Sequence, residues 1–160
     1  MTIQVGDHLP EIPLQRINEG VEIADTATLF NGRRVVLFAV PGAFTPTCSE
    51  RHLPGFVENF DAFRRRGIEV YCMAVNDAFV MQAWGKSQNV PDGLTLLADG
   101  NGEFTRALGL QLDATGYGMG IRSKRFALYA DDGVVRQLHV EAPGEFRVSS
   151  AEYVLEHLPA

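Results

Sequence analysis

Val35-Val36-Leu37-Phe38-Ala39-Val40-Pro41-Gly42-Ala43-Phe44-Thr45-Pro46-Thr47-Cys48 runs from an unbroken apolar segment through a proline- and glycine-bearing turn to a cysteine. An apolar run of this length, β-branched and bounded by turn residues, is the pattern of a strand buried on both faces. Beyond it, Leu53, Phe56, Val57, Phe60 and Phe63 recur at helical spacing, and Gly67 supplies the stop. Residues 68–75 then read as a second strand. Strand, helix and strand make a βαβ unit, with Cys48 where the first strand gives way to the helix. Backbone N–H groups in a first helical turn have no intrahelical partner and favour negative charge, so a thiol placed there is suited to act as a thiolate.

Further strand patterns cover 94–98, 125–129 and 134–140, the last two flanking Asp131-Asp132-Gly133, a tight-turn signal for an antiparallel hairpin. A second helix is predicted from a cap near Asn76-Asp77, carrying Phe79, Val80, Ala83 and Trp84. A short one covers 103–108 up to Gly109, and an amphipathic one covers 151–158. Pro54-Gly55 predicts a bend one turn after Cys48. The order of elements implies an α/β, thioredoxin-like fold with a mixed central sheet flanked by helices. No repeat or linker divides the sequence, so residues 1–160 are expected to form one domain.

Composition narrows the function classes. Hydrophobic residues are 46% and charged residues 21% of 160, a globular balance without a membrane-spanning run. Fourteen Lys plus Arg against 20 Asp plus Glu give a net charge of −6, which argues against nucleic acid as the main partner. Arg64-Arg65-Arg66 reads as a solvated helix C-terminus. The opening residues lack a basic segment followed by a long apolar one, and the expected location is cytoplasmic. Cys48 and Cys72 are the two cysteines, with no C-x-x-C pair and no zinc spacing.

A lone cysteine is most often a small core residue. Cys48 differs, because Thr45, Thr47 and Ser49 surround it with hydroxyls while Pro41 and Pro46 stiffen the loop. Cys72, inside 69–75, reads as strand packing, with a resolving thiol as the rival. His52, four residues beyond Cys48, raises a Cys-His nucleophile and base pair of the hydrolase kind. His8, His139 and His157 are scattered without ligand spacing, and His139-Val140-Glu141 lacks the downstream cysteine pair of a zinc deaminase. Gly116, Gly118 and Gly120 read as a mobile loop rather than a phosphate loop.

The arrangement Pro41-x-x-x-Thr45-x-x-Cys48 resembles the signature of peroxiredoxins, and the fuller string through Ser49 and His52-Leu53-Pro54-Gly55-Phe56 resembles their peroxiredoxin-5 subfamily, including plant type II and bacterial glutaredoxin-linked members. Ala74-Val75-Asn76-Asp77 and Arg122-Ser123-Lys124-Arg125-Phe126 extend the resemblance over nearly the whole chain. It implies a thiol-dependent peroxidase reducing hydrogen peroxide and organic hydroperoxides. Cys48 would be the peroxidatic cysteine, Thr45 the hydroxyl partner of its sulfur and the peroxide, Pro41 the shield and Arg125 the remote cation. Without the resemblance, nothing in the sequence selects Arg125 over Arg122. A guanidinium there would hold the thiolate and meet charge on the departing oxygen.

Animal-type members of the subfamily carry a resolving cysteine before the last helix. Here that segment is Pro143-Gly144-Glu145-Phe146-Arg147-Val148-Ser149-Ser150, so the resemblance implies an external thiol, glutathione with glutaredoxin or else thioredoxin, and no cofactor or metal. It also implies a homodimer. Phe44, Met119, Ile121 and Phe126 could form an apolar approach to the site. The competing readings are a redox sensor or binding protein switched by Cys48 oxidation, and the Cys48/His52 hydrolase.

Overall fold

The computed structural model describes residues 2–159. Its elements are β1 (Leu14–Ile17), β2 (Val21–Ala24), α1 (Thr26–Phe30), β3 (Arg34–Ala39), α2 (Leu53–Glu58), α3 (Phe60–Arg65), β4 (Glu69–Ala74), α4 (Ala78–Ser87), β5 (Leu94–Ala98), α5 (Glu103–Leu108), β6 (Gln111–Asp113), β7 (Ile121–Ser123), β8 (Phe126–Asp131), β9 (Val134–Val140) and α6 (Ala151–His157). Seven strands form one mixed sheet in the order β2-β1-β5-β4-β3-β8-β9, and β6 and β7 make a separate hairpin. This is the expected thioredoxin-like architecture, with β3 parallel to β4 and antiparallel to β8.

Because β3 is interior and covered on both faces, its side chains divide by alternation. Val36, Phe38 and Val40 join one apolar cluster with Cys48, Phe56, Trp84 and Val154. Val35, Leu37 and Ala39 join the opposite cluster with Phe30, Phe104 and Leu108. The continuous hydrophobic run at 35–40 is the sequence trace of this double burial.

The β8–β9 turn places Asp132 and Gly133 at φ 52° and 78°, the left-handed pair a two-residue hairpin requires. The interruption expected at Pro54-Gly55 falls inside a continuous helical run: a π-helical turn leads directly into α2, and it is next to this turn that Pro54 lacks its N–H. The irregularity lies on either side: a π-helical turn over Cys48–His52, in which Leu53 N–H reaches back to Cys48 C=O, and a break at Asn59. The 116–120 glycines lie in a loop, as expected, and that loop closes the β6–β7 hairpin, with Ala114 N–H donating to Gly120 C=O at 2.8 Å and Met119 N–H to Ala114 C=O at 3.1 Å.

Candidate active site

Register brings the site together. β3 and β8 pair antiparallel as far as Ala39 opposite Phe126, so the next residues, Val40 and Arg125, lie side by side where the chain leaves the sheet for the Cys48 loop. Two positions 77 residues apart in sequence are thereby joined: Arg125 Nη2 donates to Cys48 Sγ at 3.2 Å. The loop is fixed by its own polar groups. Ala43 N–H donates to Asn76 Oδ1 at 2.9 Å, Ser49 N–H to Thr45 C=O at 3.0 Å, and buried Trp84 Nε1–H to Ser49 Oγ at 2.9 Å.

Cys48 is a free thiol, closed off from solvent. Burial alone would make it a packing residue, but the guanidinium contact gives it a polar face that a purely structural cysteine has no use for. A cavity of about 240 Å³ adjoins it, lined by Pro41, Thr47, Arg125, Lys124, Leu112 and Tyr117 among others. Pro41 thus stands at the wall of the approach. Thr45 Oγ1 gives its proton to Gly42 C=O at 2.6 Å rather than to the sulfur, which leaves the oxygen as an acceptor.

His52 is fully buried and turns away from the role of base. Its Nε2 lies 2.9 Å from Ser149 C=O, an acceptor only, so Nε2 carries the proton. Nδ1 then accepts from Arg125 Nη1 at 2.9 Å. Phe38, Phe56 and Phe146 enclose the ring at centroid distances of 4.9, 5.7 and 4.9 Å. Burial, followed by the neighbouring Arg125 charge, pushes the imidazole pKa down to about 3 despite the Ser149 hydrogen bond. With both nitrogens committed, His52 has no free lone pair for the Cys48 proton, and the hydrolase dyad is ruled out. Arg122 is spoken for as well, donating to Met119 C=O at 2.8 Å and Val75 C=O at 3.1 Å.

Cys72 sits within β4 opposite Phe38 and Leu96 and is fully buried. Burial pushes its thiol well above the ordinary range, with the nearby Cys48 adding to the rise. A thiol so placed is a poor nucleophile. Among the described residues no group of three or more His, Cys, Asp or Glu could hold a metal, and no helix is long and apolar enough to cross a membrane.

A sheet with a cysteine at a strand-to-helix junction and an arginine from the neighbouring antiparallel strand defines a thiol redox protein of the thioredoxin-like class. The redoxin family profile matches residues 4–155. The chain is 48% identical to Peroxiredoxin-2E, chloroplastic, of Arabidopsis thaliana, over 98% of this chain and 70% of that one. It is 46% identical to Peroxiredoxin-2B of the same plant, over 98% of both. The crystal structure of reduced Prx3 from Vibrio vulnificus in complex with hydrogen peroxide superposes with a TM-score of 0.93 at 48% identity, covering 97% of this chain and 98% of that one. The chain belongs to the redoxin family and, within it, to the peroxiredoxins: it is a thiol-dependent peroxidase.

Proposed function

We propose that Cys48 is the peroxidatic cysteine and that Arg125, Thr45 and Pro41 serve it. The observation that carries this assignment is the Arg125 Nη2 to Cys48 Sγ contact of 3.2 Å beside an open cavity. The Cys48 thiolate attacks the terminal oxygen of a hydroperoxide; the S–O bond forms as O–O breaks, leaving a sulfenic acid and an alkoxide or hydroxide that takes a proton from solvent. Arg125 meets the negative charge at its start on sulfur and during its passage to the leaving oxygen. Thr45, its own proton held by Gly42, accepts a hydrogen bond from the hydroperoxide O–H. Pro41 offers no N–H to compete for the sulfur and walls the approach.

The sulfenic acid then condenses with an external thiol, releasing water, and a second thiol displaces the mixed disulfide to restore Cys48. Glutathione with glutaredoxin is the proposed donor, thioredoxin the alternative; the unreactive setting of Cys72 supports an external route. The step needs no cofactor. Leu112, Tyr117 and Pro143 give the cavity apolar walls, which supports organic hydroperoxides beside hydrogen peroxide as substrates. Two free cysteines suit a reducing, cytoplasmic setting. For a homodimer the support is exposed Phe44, Phe79, Tyr117 and Ile121. They lie on segments joined by the Ala43–Asn76 and Arg122–Val75 bonds, and Phe44 holds φ 65°, a costly backbone for a bulky residue.

Steady-state peroxide consumption with each donor system tests the reading. Turnover with glutathione and glutaredoxin that exceeds turnover with thioredoxin supports it; rapid turnover with thioredoxin alone replaces the donor, and none with either defeats it.

A further inference from the structure

Arg125 is held on its far side by a chain of contacts that begins some distance from the sulfur. Beyond the last β8–β9 pair, Phe126 opposite Val140, Glu141 N–H donates to Arg125 C=O at 2.9 Å. The Glu141 side chain is 6% exposed, and no ion pair among the described residues involves it. Its oxygens are filled instead by the segment that follows. Arg147 N–H donates to both at 2.8 Å, and Val148 N–H, Ser149 N–H and Ser149 Oγ–H donate to Oε2 at 2.8, 2.9 and 2.7 Å.

A buried carboxylate must collect hydrogen bonds or destabilise the fold. Here the collecting bends residues 142–149 back over the site, and two of their groups land on His52. Ser149 C=O accepts from Nε2–H, and the Phe146 ring packs against the imidazole at 4.9 Å. The carbonyl decides the tautomer. Were the proton on Nδ1 instead, it would confront the Arg125 N–H donors, and the guanidinium would lose the acceptor that aims its other arm at Cys48.

We infer that Glu141 is a positioning residue for peroxide reduction, acting through the Arg147–Ser149 backbone and the His52 tautomer to aim Arg125 at the sulfur. The inference rests on the assignment of Cys48 and Arg125 above. It makes the segment that lacks a resolving cysteine in this chain a part of the catalytic architecture by another route: folded over the site, it orients the guanidinium.

The test compares two reactions of one sulfur. Peroxide reduction needs Arg125 aimed at the breaking O–O bond, whereas alkylation by iodoacetamide, compared at a pH high enough to ionise Cys48 in every variant, needs only the thiolate. Glu141→Gln is expected to lower the single-turnover rate with hydrogen peroxide ~10-fold or more while changing alkylation less than ~3-fold. His52→Leu should lower the peroxide rate ~10²-fold, and His52→Gln, whose amide can donate to Ser149 and accept from Arg125, should recover most of it. In ¹⁵N spectra, His52 should show a protonated Nε2 and bare Nδ1 in the wild type and lose that pattern in Glu141→Gln. Should Glu141→Gln not fold, Ser149→Ala, deleting one donor to the carboxylate, carries the same comparison at ~2–5-fold. Equal loss of both reactions, an unchanged peroxide rate, or a wild-type His52 signature in Glu141→Gln would overturn the inference. Absence of Cys48-dependent peroxide reduction in the wild type would instead strike the assignment beneath it.

Discussion

Arg125 bridges Cys48 and His52, one arm of its guanidinium donating to the sulfur at 3.2 Å and the other to a neutral imidazole nitrogen at 2.9 Å. The rigid fork fits both partners at once, so the side chain has little freedom left to lose when charge moves across it. Preorganised donors of this kind are effective because nothing has to reorient in the transition state.

Replacing Arg125 by Lys should therefore not preserve function. An ammonium on a flexible stem cannot reach both partners with the same planar geometry. The expected loss in kcat/KM for peroxide is ~10²-fold, with Arg125→Met losing ~10³-fold, measured by stopped-flow oxidation. A Lys variant within about threefold of wild type would show that charge alone suffices.

His52 gives stability a pH dependence of known sign. In the unfolded chain its imidazole titrates near 6.5, whereas burial and Arg125 hold the folded value at about 3. Between those values the unfolded state binds the extra proton, so stability should fall as pH drops through that window, by up to ~1.4 kcal/mol per pH unit, and be unaffected by this group above it. Urea unfolding from pH 7 to 4 should show the decline, and His52→Gln should remove most of it.

Pro54→Ala should be nearly silent, changing stability by less than about 1 kcal/mol, because the π-helical turn ahead of Pro54 already departs from the i→i−4 ladder that its missing N–H would have joined. The local strain belongs to the π-helical turn at Cys48–His52, which Trp84 and Ser49 tie to α4. Trp84→Phe, which leaves Ser49 without that donor, should cost about 1–2 kcal/mol in urea unfolding. If Pro54→Ala proved more damaging than Trp84→Phe, the placement of the irregularity would be wrong.

What was legible in the sequence followed burial. β3, β4 and β5 are interior strands whose apolar runs announce them, and the β8–β9 hairpin carries its turn residues in plain view. β1 and β2 carry no such signal, because their hairpin mixes Gln15, Arg16 and Glu22 with its few apolar residues and leaves Val21 and Ile23 exposed. Cys48 could be picked out from its hydroxyl-rich, proline-stiffened surroundings. Arg125 could not be separated from Arg122 without the family resemblance, since the choice depends on the β3–β8 register. His52 is visible in the sequence but misleading: a spacing of four suggests a base for Cys48, and only the Ser149 carbonyl, 97 residues on, reveals which nitrogen holds the proton. Glu141 carried no signal at all, because its partners are backbone N–H groups, which every sequence supplies.

The most direct measurement is intact mass after one equivalent of hydrogen peroxide, with no reductant present, for the wild type, Cys48→Ser and Cys72→Ser. The wild type and Cys72→Ser should each gain one oxygen, about 16 Da, while Cys48→Ser gains none. Oxygen addition retained in Cys48→Ser and lost in Cys72→Ser would contradict the account.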